Sequence, residues 1–174
     1  MSTKDRERLD AVLGRFHDYL AKERRYSPHT VTAYMGDVRR FLAKVAGASD
    51  ADADAEGASD DAPHAPKLDE IERWELRDFL AVEMRTHSPR TVSRRLASVR
   101  KFFDYLQRRE GFEHNASTGI RYPKTRRRIP RHLSVDESEH LIESLDGDSV
   151  LGIRDRAIVE LLYGAGIRVG EIAG

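Results

Sequence analysis

The chain has 174 residues, room for one ordinary domain or two small ones, with 39% apolar and 34% charged side chains. No apolar run approaches the roughly 18 residues a membrane span needs, and the polar first stretch has no apolar signal-peptide core, so neither membrane insertion nor secretion is expected. There is no cysteine, which excludes a disulfide scaffold, thiol catalysis and Cys-ligated zinc; a reducing cytoplasm is the expected compartment.

The formal charge of +0 hides a separation of charge. Residues 85–131 carry 14 Lys/Arg against 3 Asp/Glu, and the rest of the chain carries an acid surplus of the same size. Residues 47–66 (GASDADADAEGASDDAPHAP) hold 6 acids, no Lys or Arg, and nothing apolar larger than Ala. Such a stretch cannot bury enough surface to offset its ordering entropy, which predicts a disordered loop inserted between two helices. Its functional alternative is an acidic mimic of DNA. Outside it, the chain is basic.

Leu9, Val12, Leu13, Phe16 and Leu20 recur at helical spacing, predicting a first helix up to about Arg24. Ser27-Pro28 then pairs an N-cap residue with a residue suited to the first helical position. The second helix places Val31, Met35, Val38, Leu42 and Val45 on one face. Trp74, Leu76, Phe79, Leu80 and Met84 predict a third helix, and Trp74 and the phenylalanines are expected in the core. Ser88-Pro89 repeats the cap signal before a fourth helix with Val92, Leu96, Val99, Phe103 and Leu106. The segments SPHTVTAYMGDVRRF and SPRTVSRRLASVRKF share Ser, Pro, Thr, Val, Val, Arg and Phe at a constant offset of 61 residues. The same capping and core solution reached twice accounts for this, as does duplication of a helix pair.

Gly111 closes the fourth helix. The Pro, Gly and charge content of residues 113–130, with the run Lys124, Thr125, Arg126, Arg127, Arg128, predicts an extended basic linker. Beyond it, Ser134 and Glu137 form a capping-box pattern. A further helix carries Ile153, Ala157, Ile158, Leu161 and Leu162, and stops at Gly164-Ala165-Gly166. The final IRVGEIAG is an apolar helix start that breaks off, so the second domain is expected to be truncated, with Ile153, Ile158, Leu162 and Ile172 short of packing partners.

At about 100° per residue, the apolar residues of the fourth helix lie within about 40° of Val92, and Arg90, Arg94, Lys101 and Arg108 lie roughly opposite. No acid stands among these four. On the second helix, His29, Ala33, Gly36, Arg40 and Lys44 share the outer face, basic at its ends and small in its middle. Cations favour phosphate and small residues permit close approach, so two such helices suit a DNA major groove. The candidate DNA contacts are His29, Thr30, Arg40, Lys44, Arg90, Arg94, Lys101 and Arg108, with Lys124, Arg126, Arg127 and Arg128 as a strap. A solvated charged face is the alternative. The seven histidines lack metal-ligand spacing and no metal is expected.

RDRAIVELLYGAGIRVGEIAG (residues 154–174) resembles the first conserved box of the tyrosine site-specific recombinases. SPHTVTAYMGDVRRF, SPRTVSRRLASVRKFFDYL, the YPK of Tyr122 to Lys124 and IPRHLSVDE resemble segments of that family's Xer group, in the same order, and the SPHT segment leans towards the XerC-like members. Asn115-Ala116 stands where the group usually has Asn-Pro, and Ala165 and Gly170 stand where the box has a small hydroxyl residue and Ser. The acidic loop is an insertion. The resemblance implies an all-α chain: a four-helix SAM-like core-binding domain over residues 9–112, a linker over 113–130, and over 131–174 the first helices of a truncated mixed α/β catalytic domain.

It also implies a reaction. A Tyr hydroxyl attacks a DNA phosphodiester, forming a 3′-phosphotyrosyl link and freeing a 5′-hydroxyl, and a second strand's 5′-hydroxyl reverses the step. Energy stays in the covalent link, so no nucleotide cofactor is needed. Arg168 matches the first phosphate-binding Arg of the family and Glu171 its supporting acid; a planar guanidinium that donates two hydrogen bonds suits the charge that builds on the phosphate. The six tyrosines all precede Arg168 and none matches the nucleophile. The expectation is a chain that binds DNA without cutting it. Its parent would resolve chromosome dimers at a recombination site in duplex DNA, as a heterotetramer with a second Xer-type recombinase, in cell division. The alternatives are a non-enzymatic inhibitor or architectural protein of a recombination site, and a helical protein–protein module.

Overall fold

The computed structural model describes residues 3–47, 66–124, 132–145 and 149–173. It is all-α, with no strand among the described residues. The helices are α1 (Thr3–Asp18), α2 (Pro28–Val45), α3 (Arg73–Thr86), α4 (Pro89–Arg109), α5 (Val135–Glu143), α6 (Val150–Gly164) and α7 (Val169–Ala173); a π-helical turn, Tyr19–Glu23, extends α1. The chain divides into two compact units, Met1–Arg126 and Arg127–Gly174.

The first unit is built on α2 and α4, the most extensively packed pair of helices in it. Both start the same way. Ser27 Oγ accepts from Thr30 N at 3.3 Å and Ser88 Oγ accepts from Thr91 N at 3.2 Å, with Pro at the first helical position of each. The 61-residue repeat therefore encodes one capping solution used twice. Its core positions are also equivalent: Val31 and Val92, Val38 and Val99, and Phe41 and Phe102 are all buried.

Against this pair pack Val12, Leu13, Phe16 and Leu20 from α1 and its π-helical turn, and Leu76, Phe79 and Leu80 from α3. Phe16 meets Phe102 edge to face at 5.1 Å, and Phe41 does the same with Phe79 at 5.4 Å. Such pairs add about 0.5–1.5 kcal/mol beyond the area they bury. A polar clasp ties α1 to the end of α4: Arg15 donates to both Glu110 oxygens, at 2.9 and 2.7 Å, and Tyr105 Oη donates to the same carboxylate at 2.7 Å.

Two expectations are corrected. Trp74 is 66% exposed, and Met84 is exposed with it. Trp74 lies on the face of α3 opposite its buried stripe of Leu76, Phe79 and Leu80, and Met84 lies at the edge of that stripe. The first part of the linker is also not extended. Ala116 and Ile120 are buried in the core, Asn115 Oδ1 closes a turn by accepting from Ser117 N at 3.0 Å, and the Arg100 guanidinium donates to the Ile120 carbonyl. Ala in place of Pro at position 116 leaves the turn intact. Residues 113–124 thus belong to the first unit, and the division falls between Arg126 and Arg127.

In the second unit, α5 begins with the expected capping box: Glu137 N donates to Ser134 Oγ at 3.2 Å and Ser134 N donates to Glu137 Oε2 at 2.7 Å. Those bonds hold the Glu137 carboxyl below its ordinary range, chiefly through the Ser134 backbone N–H. Helix α6 ends at Ala165, and Gly166 takes a φ of +63°, open to glycine without strain. No apolar side chain is buried among the described residues of this unit. Val150 is 83% exposed and Ile153 is exposed too, whereas Ile158, Leu162 and Ile172 are half-covered.

Candidate nucleic-acid interface

The α4 face opposite the core carries Arg90, Arg94, Lys101 and Arg108, as its periodicity requires; Lys101 is half-buried and the other three are exposed. Arg90 and Arg108 stand 18 residues apart, about 27 Å along the axis, the length of about eight base pairs. On α2, His29 and Gly36 are exposed, while Ala33, Arg40 and Lys44 are half-buried. A side chain added at Gly36 would meet only open space, so the backbone there is accessible. Thr30 serves the helix cap, with its hydroxyl 2.9 Å from Ser27 Oγ. Lys124 is exposed; Arg126, Arg127, Arg128 and the interior of the acidic stretch lie outside the described residues.

The expectation of a ridge without acids holds along α4 but not across the seam to α2. Asp37, buried on the flank of α2 that faces α4, accepts from Arg94 Nη1 at 2.5 Å and from Ser98 Oγ at 2.7 Å. Arg95, only 8% exposed, lies 3.8 Å from the other Asp37 oxygen and pairs with buried Glu83 on α3. His87 completes the group, 3.3 Å from Glu83. Periodicity missed these residues because charged side chains on helix flanks read as solvated. The signal available was an Asp and a Ser at equivalent places in the repeat, 61 residues apart. Leaving one member of such a buried pair alone costs about 3–5 kcal/mol, so the cluster locks α2, α3 and α4 in register. It also braces Arg94, whose side chain is held by Asp37 while still reaching solvent.

In the second unit, Arg168 immediately precedes α7, as expected. Its backbone N–H donates to Glu171 Oε2 at 2.8 Å and its guanidinium to Glu171 Oε1 at 3.3 Å. Glu171 thus orients Arg168 at both ends, and the Arg168 side chain stays 85% exposed. Among the described residues there is no group of three or more His, Asp or Glu placed to hold a metal ion, and no helix is long and apolar enough to cross a membrane.

Two Ser-Pro-capped helices packed side by side and closed by α1 and α3 make up the first unit, an all-α domain with cations on its outer face. The chain belongs to the family described as phage integrase, N-terminal SAM-like domain, matched over residues 13–110. It is 35% identical to the tyrosine recombinase XerC of Pelobacter propionicus, over 91% of this chain and 48% of that protein. It is also 35% identical to the tyrosine recombinase XerC of Azotobacter vinelandii, over 95% of this chain and 51% of that protein. A tyrosine recombinase of Thermosipho africanus is 33% identical, over 94% of this chain and 53% of that protein. The chain thus spans about half the length of these relatives. No solved structure matches it.

Proposed function

We propose that this chain is the DNA-grasping part of a Xer-type tyrosine recombinase, engaging a recombination site in duplex DNA and presenting the first residues of a strand-exchange centre. The observation that carries this reading is the α4 surface: a line of cations about 27 Å long, at about 1.5 Å per residue, set opposite the buried Val92, Leu96, Val99, Phe103 and Leu106. Around it, His29, Arg40 and Lys44 of α2 add groove or phosphate contacts, and Lys124 with Arg126, Arg127 and Arg128 straps the duplex. Arg168, oriented by Glu171, serves as the first phosphate-binding Arg of catalysis, where a planar, permanently charged fork matches the developing charge on the phosphoryl oxygens. The nucleophile of the phosphotyrosyl reaction is none of the six tyrosines of this chain, so this polypeptide alone binds DNA without cleaving it. The parent activity is resolution of chromosome dimers, with a second Xer-type recombinase completing a heterotetramer.

The test is titration of the chain against a labelled recombination-site duplex and a scrambled duplex over a range of salt. The expected result is affinity that falls steeply with salt and favours the site. Changing Arg90, Lys101 and Arg108 together to Ala should lower the slope of log affinity against log salt by about three, one for each phosphate contact. An unchanged slope would leave the ridge a solvated face and overturn the reading.

A further inference from the structure

The line of cations does not end at Arg108. Between the last turns of α4 and the π-helical turn lies a cleft of about 190 Å³. Its walls carry four cations from two parts of the chain: Lys101, Arg108 and Arg109 from α4, and Arg24 from the end of the first helical segment. Tyr19 and Tyr105 form an aromatic wall, with ring centroids 5.1 Å apart.

The charges inside are not mutually cancelled. Arg109 is held by Glu23 at 2.6 Å. Asp104, the one carboxylate in the wall, accepts from Asn115 Nδ2 at 3.2 Å. Lys101 and Arg108 have no carboxylate partner among the described residues, although Lys101 is half-buried, and Arg24 leans on the Tyr26 ring at 6.0 Å rather than on an acid. Asp104 is thus the one acid set against the four cations of this cleft. The backbone beside the cleft is unusual. Arg24 N donates to Tyr19 O at 2.9 Å, closing the wider π-helical turn, and Arg25 takes a φ of +52°, a left-handed conformation that costs a non-glycine residue energy. Arg24, at the end of this turn, lines the same cleft as Lys101 and Arg108.

We infer that this cleft is a seat for one backbone phosphate of the bound duplex, formed by Arg24 with Lys101 and Arg108, so that the DNA passes from α4 onto the end of the first helical segment. The inference rests on the DNA-binding reading above and extends the interface to a residue outside α2, α4 and the linker. Arg24 and Arg108 supply forked donors and Lys101 a point charge.

The experiment compares Arg24→Ala, Arg90→Ala and Lys22→Ala in the full chain, by salt-titrated binding to the recombination-site duplex. Lys22 is the charge control: it lies close in sequence but faces Asp18 at 2.8 Å and lines a neighbouring cleft. The expected result is that Arg24→Ala lowers affinity about fivefold near physiological salt and reduces the salt slope by about one. Arg90→Ala should do the same, and Lys22→Ala should leave the slope unchanged. If Arg90→Ala weakens binding and Arg24→Ala does not, the phosphate seat is overturned and the DNA reading stands. If neither changes the slope, the DNA reading itself fails. Equal losses from Arg24→Ala and Lys22→Ala would reduce the effect to overall charge and overturn the seat. Titration with pyrophosphate gives the last arm. Saturable binding lost in Arg24→Ala, with duplex affinity untouched, would assign the cleft to a free anion instead of the DNA backbone.

Discussion

Glu110 takes its low pKa from three donors at once. Arg15 is the main cause, through two hydrogen bonds, and Tyr105 adds a third. Burial first, and then its bond to Glu110, pushes the Tyr105 phenol up to about 12, so it stays a neutral donor. A carboxyl whose folded pKa is depressed adds stability above its ordinary value of 4.5, and that stability drains away as pH falls through the folded value. Glu110→Gln should therefore melt below the wild type at pH 7, and the gap should close on acidification below about 4.5. Thermal melts of both proteins from neutral pH to pH 3 check this; a gap independent of pH would show that the clasp acts through shape alone.

At the scale of the element, α2 and α4 show how a short motif specifies a helix start. Ser supplies the side-chain acceptor, Pro the preset φ, and the Thr three residues after the Ser donates its backbone N–H and braces the cap with its hydroxyl. Ser88→Ala should lower the unfolding free energy by about 1 kcal/mol, and Ser88→Gly by only a few tenths. Urea denaturation of the two variants measures it, and an unchanged stability in Ser88→Ala would show that the cap bond adds nothing. This level of the fold was legible in the residues: both caps, the α4 apolar stripe, the α5 capping box and the α6 stop at Gly166. Each depends on chemistry within four residues of itself. The placement of Trp74 was not legible, because a large aromatic at helical spacing reads as core, and which flank of α3 meets α2 and α4 is decided elsewhere in the chain.

At the scale of the molecule, the two units differ in what holds them. The first has a continuous core from Val12 to Ile120, including five buried phenylalanines. The second has backbone hydrogen bonds and caps, with no buried apolar side chain among its described residues. Local opening free energy follows buried contact, so amides of α2 and α4 should exchange orders of magnitude more slowly than those of α5, α6 and α7. Hydrogen exchange by mass spectrometry tests it, and strong protection across α6 would show packing that the burial pattern does not contain.

Local chemistry was enough to establish the helices, their caps and the cationic face of α4, because periodicity and capping act over one to four residues; the Arg168–Glu171 pair came from the family resemblance. The partners of those cations required the folded arrangement. Asp37 reaches Arg94 across 57 residues, Arg15 reaches Glu110 across 95, and Arg24 comes to face Lys101 and Arg108. Which flank of one helix meets which flank of another depends on how all four helices pack around one core. A charge therefore becomes a brace, a clasp or a phosphate seat only when that packing is complete.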